Sequence, residues 1–363
     1  MAGLPVPDPD LVIQSHRGPY RVRFGSLFEG LEALGPRARV VIDARVAELY
    51  SDRLADVLAL PSTLRIEATE GHKSLERMPE YVLHLLEHGL RRDCTLVAIG
   101  GGIIQDIVCF LAATVMRGLP WMFYPTTLLA QADSCIGSKS SINVGAFKNQ
   151  LGTFTPPTEI VVSTDVLDTL DEADLRSGLG EVIKVHTMSG WADIRALVRD
   201  YPHLLSDKDL LRHYIRRSLE IKQLRIEADE FDTGPRLVLN YGHTFGHAIE
   251  SATRYAVPHG IAVTIGMDFA NFVSWRYGLL DRATYELLHE TLAANYGRFA
   301  HTPIPAQAFF DAFSRDKKHS GADVALVLVR EPGDVFLDRY PNDERFHDVC
   351  REFLAQLSSV NKS

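Results

Sequence analysis

The chain has 363 residues, 46% of them hydrophobic and 23% charged, and its 47 Asp and Glu outnumber its 38 Lys and Arg for a formal net charge of -9. That length is too great for one ordinary core and suits two domains. The acidic balance argues against a nucleic-acid or anionic-membrane binder, though a small anionic ligand in a locally basic pocket remains compatible with it.

No segment reaches the roughly 20 apolar residues that a membrane-spanning helix needs. The opening MAGLPVPDPD has neither the basic nor the apolar region of a secretory signal, so none is expected. The four cysteines, Cys94, Cys109, Cys135 and Cys350, form no CxxC pair. Reduced, mostly buried thiols in a cytoplasmic protein are expected.

In chain order, YRVRFG (20–25), ARVVID (38–43), TLRIEAT (63–69), TLVAIG (95–100), WMFYPTT (121–127) and EIVVST (159–164) read as strands. Between them, VAELYSDRLADVLAL and LERMPEYVLHLLEHGL have helical spacing. This alternation predicts a mostly parallel, helix-covered sheet over residues 1–165. Residues 166–363 read as mainly helical: LDTLDEADLRSGLGEVIKVHTM, LLRHYIRRSLEIKQLRIEADE, TFGHAIESATRYA and 261–277. VALVLVREPGDVFLDRY (324–340) reads as a hairpin turning at its Pro-Gly-Asp centre.

Three features carry chemistry. Gly100, Gly101 and Gly102 join a strand to a helix in GGGIIQD, where glycines let backbone N–H groups approach a phosphate. A tight strand–helix turn without a ligand uses the same residues, and the spacing is not the GxGxxG fingerprint. His243, His247 and His259 cluster in NYGHTFGHAIE and AVPHGIAV, the first two one helical turn apart. Imidazoles ligate zinc and similar ions, and Glu181 in RSGLGEVIK is the best further candidate ligand; core or surface histidines are the alternative. Basic residues also recur in polar turns: Arg117, Lys139, Lys148, Lys184, Lys222, Arg236, and the Lys317 and Lys318 pair. Singly these are solvated charges; together they suit phosphate and carboxylate oxygens.

In their order and spacing from about Val40 to Lys318, GGGIIQD, MRGLP, PTTLLAQADS, the Lys148–Asn149 pair, RSGLGEVIK, ADEFDTGPR, NYGHTFGHA and VPHG resemble the sugar phosphate cyclases, most closely the 3-dehydroquinate synthase family. The resemblance implies a Rossmann-like NAD-binding α/β domain (1–165) and a mainly α-helical metal- and substrate-binding domain (166–363). NAD would be held by Asp43, Glu70, Lys73, Gly100, Gly101, Gly102, Asp106, Thr126, Thr127 and Lys148. Zinc or cobalt would be held by Glu181, His243 and His259. Substrate contacts would fall to Asp133, Lys139, Asn149, Lys184, Lys222, Arg236, Asn240, His247, Lys317 and Lys318. Arg117 resembles the arginine that reaches a neighbouring subunit's phosphate site, which implies a homodimer.

The implied reaction converts 3-deoxy-D-arabino-heptulosonate 7-phosphate to 3-dehydroquinate. It oxidises C5 with NAD, eliminates phosphate, returns the hydride, and closes the ring by an internal aldol step. Relatives that cyclise sedoheptulose 7-phosphate to 2-epi-5-epi-valiolone are the alternative. The iron-containing alcohol and glycerol dehydrogenases are a more distant one. Lys222 and Arg236 resemble a carboxylate-binding pair and favour the heptulosonate.

The chain also departs from the family pattern. Gln105 stands where glycine is usual and is expected to crowd the pyrophosphate turn, and Ser138 replaces the second glycine of a GGK motif. Residues 144–147 replace a His-Pro turn, and Asp232 stands where glutamate is usual, with a shorter reach as a candidate acid or base.

Overall fold

The computed structural model describes residues 9–145, 147–314 and 323–359. Two compact units divide the chain: Met1–Leu170 with Gln223–Phe231, and Asp171–Lys222 with Asp232–Ser363.

The first unit is built on a seven-stranded sheet. Its strands are β1 (Leu11–Ile13), β2 (Tyr20–Phe24), β3 (Ala38–Asp43), β4 (Leu64–Ile66), β5 (Thr95–Gly100), β6 (Trp121–Pro125) and β9 (Glu159–Val162), in the order β1-β2-β9-β6-β5-β3-β4. Every pairing is parallel except the edge pair β1–β2. A separate antiparallel pair joins β7 (Ile142–Val144) to β8 (Phe147–Leu151). Strand β5 is buried along nearly its whole length, as expected for a parallel strand covered on both faces. Strand β2 alternates buried and exposed residues.

All six expected strands are present. The run 46–60 is two short helices, Ala44–Leu49 and Ala55–Leu58, instead of one. The polar Ser51, Asp52 and Arg53 interrupt it, since such residues compete with helical backbone bonds. Helix α1 (Gly102–Thr114) follows β5 directly.

In the second unit, helix α2 (Glu172–Ser189) starts where Asp171 caps it, accepting from Asp174 N at 2.8 Å. Helix α3 (Lys208–Ala228) begins in this unit, and its last turns belong to the first. Helices α4 (His243–Ala252) and α5 (His259–Arg276) follow, then α6 (Arg282–Tyr296). Every residue of α5 from Gly260 to Ser274 is buried, so α5 is the central helix of this unit. The predicted hairpin is β10 (Asp323–Glu331) with β11 (Asp334–Pro341). No helix among the described residues is long and apolar enough to cross a membrane. All four cysteines are buried free thiols.

Candidate functional site

In the first unit, the residues singled out for a cofactor lie at the carboxyl ends of neighbouring parallel strands. Asp43 ends β3 and caps the helix after it, accepting from Arg45 N at 2.9 Å. Gly100 ends β5, and Thr126 N, just past β6, donates to Gly100 O at 2.9 Å. From β3 the chain runs to β4 on one side, then returns to β5 on the other. In an open parallel sheet such a reversal opens a crevice at the strand ends, where nucleotides bind. Glycine at 100 is a steric requirement, because a Cβ there would lie 2.5 Å from Ile104 Cγ1 and 3.3 Å from Asp43 Cβ. The first turn of α1 carries no acidic side chain, so its free N–H groups suit an anion.

Beside this crevice runs a polar network. The buried Lys73 donates from Nζ to Asp106 Oδ2 at 2.9 Å and to Asn149 Oδ1 at 3.1 Å. Ser141 donates twice to the same carboxylate, from N to Oδ1 and from Oγ to Oδ2, both at 3.0 Å. Asn143 donates to Glu70 Oε2 at 2.8 Å and accepts from Asn149 N at 2.9 Å. Burial pushes the Asp106 carboxyl up despite the Lys73 charge. Burial acts the same way on Glu70, but the Asn143 amide and the charges of Lys73 and Lys148 outweigh it and hold that carboxyl below its ordinary value. Glu70, Lys73 and Asp106 therefore come together with Asn149, which the resemblance assigns to the substrate.

Asp133 lies in a π-helical turn, Ala130–Ser134. Arg117 and Lys139 are exposed, and Arg117 adopts a left-handed φ of 69°. Ser138 keeps the left-handed conformation that a glycine would hold there, with φ 58°, and its Oγ donates to Glu230 Oε1 at 2.9 Å. The Gln105 amide is held by Ser134, donating to Ser134 O at 2.6 Å and accepting from Ser134 Oγ at 2.8 Å, and that hydroxyl lies 3.9 Å from where a Cβ on Gly102 would sit.

In the second unit, Glu181, His243 and His259 each bring one ligand atom within 4.8 Å of the other two. Glycines at helix contacts make this convergence possible. A Cβ on Gly260, next to His259, would lie 2.3 Å from Ser177 O of α2, and one on Gly266 would lie 2.1 Å from Gly242 O, next to His243. The backbones thus meet at distances that only glycine permits, and they carry the three side chains with them.

Glu181 is 2% exposed, and the Lys184 ammonium, one turn on, pairs with its Oε2. Burial, and then the Lys184 charge, hold His243 far below an ordinary imidazole, in the neutral form that ligates. Burial also lowers His259, but the bond and charge of Glu250 and the charge of Glu181 outweigh it and raise that imidazole. One carboxylate and two imidazoles fit zinc or a similar divalent ion and leave a coordination position open. The His247 ring lies 5.5 Å from that of His243 and 5.8 Å from that of His259, centroid to centroid.

Lys222 and Arg236 are buried, and Asp232 is half-buried in a left-handed conformation. Asn240 donates to Leu237 O at 3.0 Å. Lys317 and Lys318 lie outside the described residues.

Two residues that sequence reasoning passed over enter the site: Ser141 through Asp106, and Glu250, whose Oε2 lies 3.2 Å from His259 Nδ1. The signal for Glu250 was its place one helical turn after His247.

The chain is similar to several known proteins. The 2-deoxy-scyllo-inosose synthase solved with carbaglucose-6-phosphate, NAD+ and Co2+ superposes with a TM-score of 0.81 at 20% identity, covering 96% of this chain and 100% of that one, a likeness of fold. The 2-epi-5-epi-valiolone synthase ValA from Streptomyces hygroscopicus subsp. jinggangensis 5008, with NAD+ and Zn2+ bound, gives 0.79 at 26% identity, covering 94% and 97%. The 3-dehydroquinate synthase of Acidithiobacillus ferrooxidans is 37% identical over 324 residues, 88% of this chain and 89% of that protein. Family models match on both sides of the Ser177–Gly178 bond, the 3-dehydroquinate synthase N-terminal model over residues 63–177 and the C-terminal model over residues 178–319. With a relative that close over most of its length and both models matched in order, the chain belongs to the 3-dehydroquinate synthase family.

Proposed function

We propose that the protein converts 3-deoxy-D-arabino-heptulosonate 7-phosphate to 3-dehydroquinate with loss of phosphate, using NAD and a divalent metal, zinc or cobalt. Family membership makes it a sugar phosphate cyclase, a phosphate-eliminating carbon–oxygen lyase. The substrate and the residue roles are our reading. The observation that carries it is the burial of Lys222 and Arg236 in a chain that also gathers Glu181, His243 and His259. A guanidinium beside an ammonium suits a keto-acid carboxylate, which the guanidinium can hold through two parallel hydrogen bonds.

When bound, NAD takes up and returns a hydride and the metal acidifies substrate hydroxyls. Glu181, His243 and His259 would hold the metal. Asp43, Glu70, Lys73, Gly100, Gly101, Gly102, Asp106, Thr126, Thr127 and Lys148 would hold NAD. Lys184 beside Glu181 would bind a substrate oxygen, and His247, one turn after His243, would relay a hydroxyl proton. Lys139, Asn149, Lys317, Lys318 and a partner copy's arginine at position 117 would clamp the phosphate so that it can leave, which calls for a homodimer. Asp133, Asp232 and Asn240 would complete the substrate contacts. We place this chemistry in the cytoplasm, where the four free thiols stay reduced.

The test is turnover by metal-loaded protein with catalytic NAD. Phosphate and 3-dehydroquinate released from the heptulosonate alone support the reading. Turnover of sedoheptulose 7-phosphate alone keeps the cyclase and overturns the carboxylate role of Lys222 and Arg236.

A further inference from the structure

His259 belongs to two groupings. Besides Glu181 and His243, it approaches His247 and Glu250, and the ligand atoms of this second trio also lie within 4.8 Å of one another. An imidazole has two nitrogens, and the hydrogen bonding shows how one of them is used. Glu250 Oε2 lies 3.2 Å from His259 Nδ1. An ionised carboxylate only accepts hydrogen bonds, so this contact puts a proton on Nδ1 and leaves the lone pair on Nε2. Glu250 is well placed to hold that geometry. Its side chain is 13% exposed, and it sits in the body of α4, the helix that begins with His243.

We propose that Glu250 is the positioning residue of the metal centre. It fixes His259 as the Nδ1–H tautomer and orients its ring, so that Nε2 completes the set begun by Glu181 and His243. It is not itself a ligand, and His247 stays outside the ligand set. The proposal rests on the reading of Glu181, His243 and His259 as a metal centre. A carboxylate behind a ligating imidazole fixes its orientation and makes it a better donor, and losing such a partner weakens metal binding by about 10- to 100-fold.

The experiment titrates Co2+ into the metal-stripped full-length chain, by calorimetry and by the visible absorption of bound cobalt. It compares the wild type with Glu250→Ala, Glu250→Gln and Glu181→Ala, each checked for folding by circular dichroism. Glu250→Ala is expected to weaken cobalt binding about 10- to 100-fold and to alter the absorption bands. Glu250→Gln keeps an acceptor oxygen and is expected to recover most of the affinity. Glu181→Ala is expected to bind least.

Wild-type affinity and bands in Glu250→Ala would reduce the contact to a surface ion pair and overturn the proposal. A Glu250→Gln variant as impaired as Glu181→Ala would make Glu250 a ligand and overturn it differently. Failure of the wild type to take up cobalt would instead overturn the metal reading, and the proposal with it.

Discussion

Adding one methyl group at Gly266 tests whether backbone contact sets the spacing of Glu181, His243 and His259. In Gly266→Ala the new Cβ would lie 2.1 Å from Gly242 O and 2.7 Å from Gly246 N, both main-chain atoms of the α4 start. Relieving the first contact to an ordinary carbon contact of about 3.5 Å requires a separation of roughly 1.4 Å. Main-chain atoms cannot swing aside as a side chain can, so α4 and α5 must part. Overpacking of this kind costs about 1–3 kcal/mol, and the backbone partner puts this case near 3.

The displaced residue, Gly242, is bonded to His243, so the shift reaches one ligand directly. A misplacement of roughly 1 Å in a catalytic constellation lowers turnover by about 100-fold. Urea denaturation would measure the stability loss, and cobalt titration the loss of affinity, expected to be at least about 10-fold by the same scale as losing a ligand's support. Gly297→Ala is the control, since nothing lies within 4 Å of a Cβ there. A folded Gly266→Ala protein with the stability and cobalt affinity of the control would refute the argument that helix contact sets the centre.

Three further outcomes follow from the charges. Burial pushes the His186 imidazole down from 6.5 to about 4, so it folds neutral; stability is full above pH 6.5 and falls by about 3 kcal/mol as the pH drops toward 4, and His186→Leu should flatten that limb in denaturation curves taken across pH. His289 is raised through its bond to the fully buried Asp268, so the pair stabilises below pH 6.5 and loses that contribution as the pH rises past the raised value. Because the His289 side chain is 41% exposed, His289→Ala should cost only about 1–2 kcal/mol, and an unchanged midpoint on both sides of that range would discount the pair. Arg236→Ala should weaken binding of a carboxylate substrate about 10-fold or more, the scale of a lost charged hydrogen bond, and equal binding by calorimetry would remove the arginine from that role.

The parts of this fold that could be read from the sequence were those with strong apolar patterning. Buried strands such as TLVAIG and ARVVID announce themselves because both faces are covered. The β10–β11 hairpin shows through its Pro-Gly-Asp turn. The β7–β8 pair does not, since all of β8 is exposed and its sequence, FKNQL, carries no apolar alternation. Strand β1 has only three residues.

At the site, histidine spacing and the flanking glycines pointed to residues that the fold brings together with Glu181, because close helix contact leaves a mark in composition. The tertiary hydrogen bonds left none. Nothing local links Gln105 to Ser134, Ser141 to Asp106, or Ser138 to Glu230, and the folded chain decides those pairings.

The last of those pairings bears on how the molecule is made. Glu230 accepts from Ser15 Oγ at 2.6 Å, from His16 N at 2.7 Å and from Ser138 Oγ at 2.9 Å, so two separate segments of the first unit close on a carboxylate more than 200 residues downstream of the earlier one. The β2–β9 pairing is likewise distant in sequence. During synthesis the β5–β3 ladder can form early, but the amino-terminal strands must wait for β9 to leave the ribosome, and Ser15 and His16 must wait for the end of α3. By then α2 and most of α3, which belong to the second unit, have already emerged, so the first unit cannot be completed before part of the second is present.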